Sequence, residues 1–374
     1  MIDEKWLQDI FEKIDKKIEA ECERLGDKIP YIPKDGKYVD MADVNLSFWT
    51  NGFWGGILWQ MYHATKKELY AKTANVLEER LDLAIEQYDM LHHDVGFQWL
   101  HTAVANYRLT GNPKSRIRGL HAANLLAGRY NPRGKFINAW NRERSEWMII
   151  DCLMNLPLLY WANLEEAGLV HYTYIAEEHA DTTLSKLLRA DGSCYHIGEM
   201  NPATGEVNKY DRGQGYDESS SWTRGASWAI YGFALNYHYS NKKEYLDAAK
   251  KAAHYFIANV MHTGYVPLVD FRQPQDPNIY DTTAGAIAAC GMLEIAKHVS
   301  EQEKEIYLDA ARLIIEAIES KHADWDIDTD GIIGSGTVAY HKRAENETEV
   351  PIIYGDYFFI EAILRLKGLN FLIW

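Results

Sequence analysis

Asn241-Lys-Lys-Glu-Tyr-Leu-Asp-Ala-Ala249 opens a helical pattern that the chain uses more than once. Glu303-Lys-Glu-Ile-Tyr-Leu-Asp-Ala-Ala311 is nearly the same, and Thr65-Lys-Lys-Glu-Leu-Tyr-Ala-Lys-Thr-Ala74 is a close variant. Leu109-Thr-Gly-Asn-Pro-Lys114 is a looser relative, with Asn112 as a helix cap and Pro113 at a favoured first position. The openings return tens of residues apart with irregular insertions between them. Such self-similarity marks a repeated helical hairpin.

Working outward, the 3.6-residue spacing of apolar positions predicts about twelve helices. They fall near 4–25, 52–65, 67–89, 96–110, 114–129, 145–166, 169–189, 219–239, 242–261, 280–298, 302–320 and 355–367. Twelve helices make six hairpins, and six hairpins close as an all-α (α/α)6 barrel with an inner and an outer layer. An open superhelix is the alternative. Against it stand irregular, glycine- and aromatic-rich linkers at 26–50, 131–144, 190–218, 262–279 and 321–353, which suit site-forming loops at one end of a barrel. Short strand-like pieces fall in them, at 264–271 and 331–340. No Gly/Ser- or Pro-rich linker divides the chain, so residues 1–374 read as one catalytic domain.

The bulk properties narrow the partners. A hydrophobic fraction of 47% suits a large core, and a formal net charge of −15 argues against nucleic acid and anionic membrane surfaces. No apolar run approaches the ~20 residues of a membrane span. The opening Met-Ile-Asp-Glu-Lys-Trp lacks the basic and apolar regions of a secretory signal, and Cys22, Cys152, Cys194 and Cys290 form no CxxC pair. A cytoplasmic protein with reduced thiols is expected, as a monomer or homodimer. Twelve Trp and 24 Tyr mostly serve the core, yet their abundance suits a concave site for ring-shaped ligands.

Several motifs fail. Asp326, Asp328, Asp330 and Gly331 have the spacing of a calcium loop, but its twelfth position is Thr337, so a solvated acidic turn is expected. Gly334-Ser-Gly336 lacks the strand–turn–helix context of a dinucleotide site. Neither HExxH nor GxSxG is present. His92 and His93 are adjacent and should diverge, so that pair predicts no metal site, and no cofactor is expected.

Four clusters carry chemistry. Asp151 sits in the apolar run Trp147-Met-Ile-Ile-Asp-Cys-Leu-Met-Asn-Leu-Pro-Leu-Leu-Tyr-Trp161, read as a buried helix. Desolvation there should raise its pKa toward the general acid/base range, unless a hydrogen bond, for instance to Asn155, simply locks it. Asn45-Leu-Ser-Phe-Trp-Thr-Asn-Gly-Phe-Trp-Gly-Gly-Ile-Leu-Trp59 puts Trp49 and Phe53 four residues apart, on one face if the helix starts early. In His92-His-Asp-Val-Gly-Phe-Gln98, Asp94 suits a helix N-cap. In Arg212-Gly-Gln-Gly-Tyr-Asp-Glu-Ser-Ser-Ser-Trp-Thr-Arg-Gly-Ala-Ser-Trp228, Ser219 to Ser221 offer caps, and Arg224 and Trp228 share a face. A guanidinium near a helix N-terminus suits a carboxylate clamp, with a structural salt bridge as the alternative.

These segments, with Thr283–Ala296 and Tyr354–Leu366, resemble the unsaturated glucuronyl hydrolases of glycoside hydrolase family 88, in order along nearly the whole chain. The resemblance implies an (α/α)6 barrel. It implies hydrolysis of lyase-generated glycosaminoglycan oligosaccharides that carry a 4,5-unsaturated uronic acid at the non-reducing end. The chemistry is hydration of the C4=C5 vinyl ether. Asp151 is then the acid/base, and Asp94 the second catalytic acid, holding sugar hydroxyls. His93, His196, Gln214 and Arg224 contact substrate, with Arg224 the candidate for the uronate carboxylate. Trp49, Phe53, Trp140 and Trp228 stack on sugar rings. The loop from Lys342 to Val350 falls where the family varies, and it bears on sulfation preference. The related unsaturated rhamnogalacturonyl hydrolases of family 105 are the nearest alternative. Further off lie an inverting glycosidase using Asp94 and Asp151 as a carboxylate pair, an α/α-barrel epimerase resting on histidines, and a non-enzymatic carbohydrate-binding barrel.

Overall fold

A computed structural model describes residues 3–144, 146–166, 171–342 and 347–374. Along the chain the helices are α1 (Glu4–Leu25), a short α2 (Met41–Val44), α3 (Phe53–Thr65), α4 (Glu68–Gln87), α5 (Val95–Trp99), α6 (Ala105–Thr110), α7 (Pro113–Ala127), α8 (Pro157–Glu165), α9 (His171–Lys186), α10 (Thr223–Ser240), α11 (Lys243–Val260), α12 (Thr282–Ile295), α13 (Glu301–His322) and α14 (Ile353–Leu366). A π turn, Leu100–Val104, joins α5 to α6. The strands are short: β1 (Pro33–Lys34), β2 (Lys37–Tyr38), β3 (Tyr130–Asn131), β4 (Phe136–Ile137), β5 (Trp147–Ile149), β6 (Ile197–Met200) and β7 (Val207–Asp211).

The turns from inner to outer helices explain the repeated openings. Thr65, Thr110 and Ser240 each donate a hydroxyl hydrogen bond to the carbonyl four residues back, at 2.7, 2.8 and 2.6 Å. The same oxygens accept the backbone N–H two residues on, from Lys67, Asn112 and Lys242, each at 3.2 Å. The residue between is left-handed: Lys66 at φ 61°, Gly111 at 76° and Asn241 at 58°. The next residue is extended and starts the outer helix. The chain thus reverses with its polar groups satisfied. Asn112 also caps α7 as read, accepting from the Lys114 N–H at 3.1 Å.

The repeated tyrosines have a shared task. Tyr70, Tyr245 and Tyr307 are buried, and each hydroxyl bonds the preceding outer helix: Asp15 and Asp181 at 2.7 Å, and His254 at 3.0 Å. Lys67 and Lys242 pair with acids of those same helices, Asp15 with Glu19 and Glu177 with Asp181. Such exposed pairs contribute about 0–1 kcal/mol each, against roughly 1.5–3 kcal/mol for burying a large ring, so the rings hold the layer and the polar groups set its register.

The inner ring runs from α3 through α5–α6, α8, α10 and α12 to α14, which packs back on α3. That closure is the (α/α)6 barrel. Every residue of α12 is buried, as a helix with neighbours on all sides must be. Aromatic residues fill the barrel axis: Trp374 stacks on Phe358 at 5.7 Å and meets Phe97 edge-on at 5.9 Å. No helix of the described residues is long and apolar enough to cross a membrane.

Four local readings change. The segment from 146 is not α-helical until Pro157: Trp147–Ile149 forms β5, which pairs antiparallel with β6, and Ile150–Met154 is a tight 3-10 turn. The β-branched Ile149 and Ile150 favour the strand, and Pro157 fixes the later helix start. Helix α10 begins at Thr223, with Ser219 to Ser221 outside it, because the Ser221 N–H donates to Asp270 at 2.9 Å and Trp222 is extended. The strand-like pieces at 264–271 and 331–340 make only isolated bridges. The acidic turn is anchored rather than wholly solvated: Asp330 pairs with Arg24 at 2.6 Å, and the Lys17 ammonium donates to the Asp326 carbonyl at 2.7 Å. Residues 343–346 of the variable loop lie outside the described residues.

Candidate active site

Inner-to-outer turns are tight, whereas the long outer-to-inner connections gather where inner helices begin. A cleft of about 320 Å³ opens there, lined by residues that include Trp49, His92, His93, Asp94, Trp140, Asp151, Gln214 and Arg224. Asp94 and Arg224 stand at the starts of α5 and α10.

Asp151 follows directly on β5, and the Ile150 N–H donates to the His196 carbonyl at 3.0 Å. The sheet therefore delivers Asp151 beside His196, whose Nε2 lies 3.7 Å from Asp151 Oδ1. Only 15% of the Asp151 side chain is exposed, and Oδ1 has no hydrogen-bond partner among the described residues. Asn155 does not lock it: the Asn155 amide oxygen accepts from the Phe97 N–H at 2.8 Å. Burial, with the nearby Asp94 charge adding to it, pushes the Asp151 carboxyl up to about 7, against the pull of His93 and Arg224.

Asp94 occupies the N-cap position of α5 but makes no side-chain cap bond. Its carboxylate turns to two imidazoles instead: His93 Nε2 at 3.1 Å from Oδ1, and His92 Nδ1 at 3.3 Å from Oδ2. His92 and His93 therefore converge, contrary to the expected divergence, because residues 88–94 form an irregular turn. Burial alone would raise Asp94, but His93, His92 and a hydrogen bond from Asn155 outweigh it and hold the carboxylate below its ordinary range. Burial pushes His92 down to about 4 although Asp94 opposes this. His93 is oriented from behind by the Ala139 carbonyl, 2.6 Å from Nδ1.

His196 stacks on Trp222 at 4.0 Å, and its Nδ1 accepts the Gln214 backbone N–H at 3.0 Å. Burial holds the ring down to about 3, so it stays neutral; Nδ1 also lies 3.3 Å from the Arg212 carbonyl, and Nε2 faces Asp151. A Cβ on Gly213 would meet His196 Nδ1 at 2.2 Å, and Gly213 has φ +53°, so this turn requires glycine.

Arg224 is the most fully engaged side chain of the site. Nη1 donates to Asp281 at 2.6 Å and to the Thr337 carbonyl at 2.7 Å. Nη2 donates to the Val338 carbonyl at 2.6 Å and to the Gln214 side-chain oxygen. Both partners of the Arg224–Asp281 pair are buried. The terminal nitrogens are thus committed to protein oxygens, and the amide nitrogen of Gln214 is the donor this arrangement leaves at the cleft.

Trp49 and Trp140 line the cleft as expected. Phe53 and Trp228 do not. Both are fully buried, Phe53 against Trp49, Phe97 and Tyr357, and Trp228 against Phe97 and Phe358. Phe53 backs Trp49 and Trp228 belongs to the aromatic core, because the spacing that puts two residues on one helical face does not say which neighbour that face meets. Asn45, Ser47, Phe48, Met90 and Ile149 also line the cleft and went unread. The first three sit in the quoted Asn45–Trp59 stretch, so a signal for them existed; Met90 carries none. Asp281 went unread too, although an Asp before Thr282-Thr283 at a helix start is visible in the sequence.

A helical barrel with a carboxyl-lined, tryptophan-walled cleft at one end suits a glycoside hydrolase. A model of Glycosyl Hydrolase Family 88 matches residues 22–273. The unsaturated glucuronyl hydrolase of Bacillus sp. (strain GL1) is 38% identical over 356 residues, covering 92% of each chain. The unsaturated chondroitin disaccharide hydrolase of Streptococcus pneumoniae is 33% identical, over 85% of this chain and 81% of that protein. The crystal structure of the Bacillus sp. GL1 enzyme, responsible for the degradation of glycosaminoglycan, superposes with a TM-score of 0.89 at 36% identity, covering 96% and 97% of the two chains. A Streptococcus agalactiae unsaturated glucuronyl hydrolase complexed with dGlcA-GalNAc6S gives 0.84 at 27% identity, over 98% and 93%. The chain belongs to glycosyl hydrolase family 88.

Proposed function

We propose that the protein removes the 4,5-unsaturated uronic acid from the non-reducing end of lyase-generated glycosaminoglycan oligosaccharides. The observation that carries this reading is the Asp151 carboxyl, desolvated, raised to about 7 and with Oδ1 unbonded at the cleft. Vinyl ether hydration needs a single group that is acid first and base second.

In this reading the protonated Asp151 delivers its proton to C4. Positive charge then spreads over C5 and the ring oxygen. Water adds at C5 and returns a proton to Asp151, which restores the acid. The resulting hemiketal opens to a ketone at C5, the ring oxygen takes a proton, and C1 becomes a hemiacetal. Its collapse to the aldehyde releases the next sugar. Asp94, ionised and held by His92 and His93, is placed to accept sugar hydroxyl hydrogen bonds and to stabilise the developing cation. Neutral His196 donates from Nε2 to the Asp151 carboxylate or to the water. Gln214, fixed by Arg224, donates its amide N–H to the uronate carboxylate. Trp49 and Trp140 stack on the sugar rings. The four free, buried cysteines suit a reducing compartment such as the cytoplasm.

The test is the ultraviolet absorbance of the conjugated double bond during incubation with unsaturated chondroitin-type and rhamnogalacturonan-type disaccharides. Loss with the first supports the proposal. Loss only with the second would move the substrate assignment to rhamnogalacturonan products.

A further inference from the structure

Beside the catalytic cleft lies a second cavity, of about 340 Å³. The two share His92 and Trp140, and the walls of the second include Asp89, Arg129, Asn138, Asn141 and Arg142. Arg129 is half-buried and held by neutral acceptors alone. Nε donates to the Asn138 carbonyl at 2.8 Å, Nη1 to Asn141 Oδ1 at 2.7 Å, and Nη2 to the Trp140 carbonyl at 2.8 Å. Among the described side chains no carboxylate stands within ion-pair distance of it. A guanidinium has five N–H groups, so two remain beyond these three bonds. Arg142 stands on the rim with a left-handed backbone, φ 56°. Its ion pair with Asp89 spans 3.3 Å, with the side chains 75% and 76% exposed, so water and salt weaken it.

We infer that this cavity is a subsite for the leaving oligosaccharide, taking the carboxylate of the acidic sugar two rings beyond the unsaturated one. The inference rests on the function proposed above. Trp140 forms a wall of both cavities, so a saccharide that leaves the catalytic cleft over its ring comes to the second cavity. Glycosaminoglycan products alternate acidic and amino sugars, so the anion after the unsaturated uronate is carried by the third ring. A net charge of −15 repels such a chain at long range. A guanidinium bonded to neutral acceptors, beside the cleft, offsets that repulsion where it matters.

The experiment compares initial rates on an unsaturated chondroitin disaccharide and the corresponding tetrasaccharide, for the wild type, Arg142→Gln and Arg129→Gln. The readout is the ratio of kcat/KM for tetrasaccharide over disaccharide, which cancels general damage to the cleft. Each substitution should lower the ratio several-fold, to about tenfold, and should flatten its fall with added salt. A ratio unchanged in both variants would overturn the subsite. So would an equal loss on both substrates in Arg129→Gln with no change in Arg142→Gln, which would leave Arg129 as a support for the Trp140 backbone. If the wild type turns over neither substrate, the function reading itself fails, and the missing disaccharide rate separates that failure from this one.

Discussion

His196 presents Nε2 to Asp151 Oδ1 at 3.7 Å, while its Nδ1 lies 3.0 Å from the Gln214 backbone nitrogen and 3.3 Å from the Arg212 carbonyl. An Nδ1 that accepts the shorter of these contacts leaves the ring proton on Nε2, toward Asp151. Burial holds the ring neutral, so it stands beside Asp151 without competing for its proton. Replacing His196 with Ala should lower kcat by about 10²-fold, the cost of a misaligned reacting group, with a smaller effect on KM. Steady-state kinetics on an unsaturated disaccharide checks this, and an unchanged kcat would remove His196 from the chemistry.

The pH dependence has a definite sign. Asp151 must start protonated, and its carboxyl is raised to about 7. Asp94 must be ionised, and its carboxylate is held below the ordinary range. The profile of kcat/KM should therefore fall on the alkaline side around pH 7, and on the acid side only below the usual carboxylate range.

Asp94 also raises Asp151 through its charge, second to burial. In Asp94→Asn that charge is gone, so the alkaline limb of the residual activity should move to lower pH. A limb that stays in place would show that the two carboxyls do not communicate.

Arg224 and Asp281 form a buried pair, 2.6 Å apart. Arg224→Ala should cost about 3–5 kcal/mol of stability, since Asp281 is left buried without its counter-charge. Thermal melting would register the loss. The substitution should also raise KM, because Gln214 loses the partner that fixes its amide.

How much was legible from the sequence differs by level. The helical hairpins were, because Thr65, Asn241 and Glu303 begin near-identical stretches whose tyrosines staple neighbouring outer helices. The desolvation of Asp151 was also legible, since it follows from apolar neighbours whatever their backbone. Its strand-and-turn setting was not, because β5 exists only by pairing with β6, some fifty residues on. Phe53 and Trp228 misled because helical spacing fixes a shared face but not its orientation in the barrel. The engagement of Arg224 was unreadable for the same reason: Asp281, Thr337 and Val338 reach it only through the closed ring. The convergence of His92 and His93 depends on an irregular turn that no periodicity describes.

The central claim is that Asp151 is the proton donor of vinyl ether hydration. Its most direct test is the loss of ultraviolet absorbance of an unsaturated chondroitin disaccharide, followed with the wild type and Asp151→Asn at equal concentration and matched circular dichroism. The account predicts steady loss with the wild type and none above background with the variant, at least a 10²-fold difference. Comparable rates for the two proteins would contradict it.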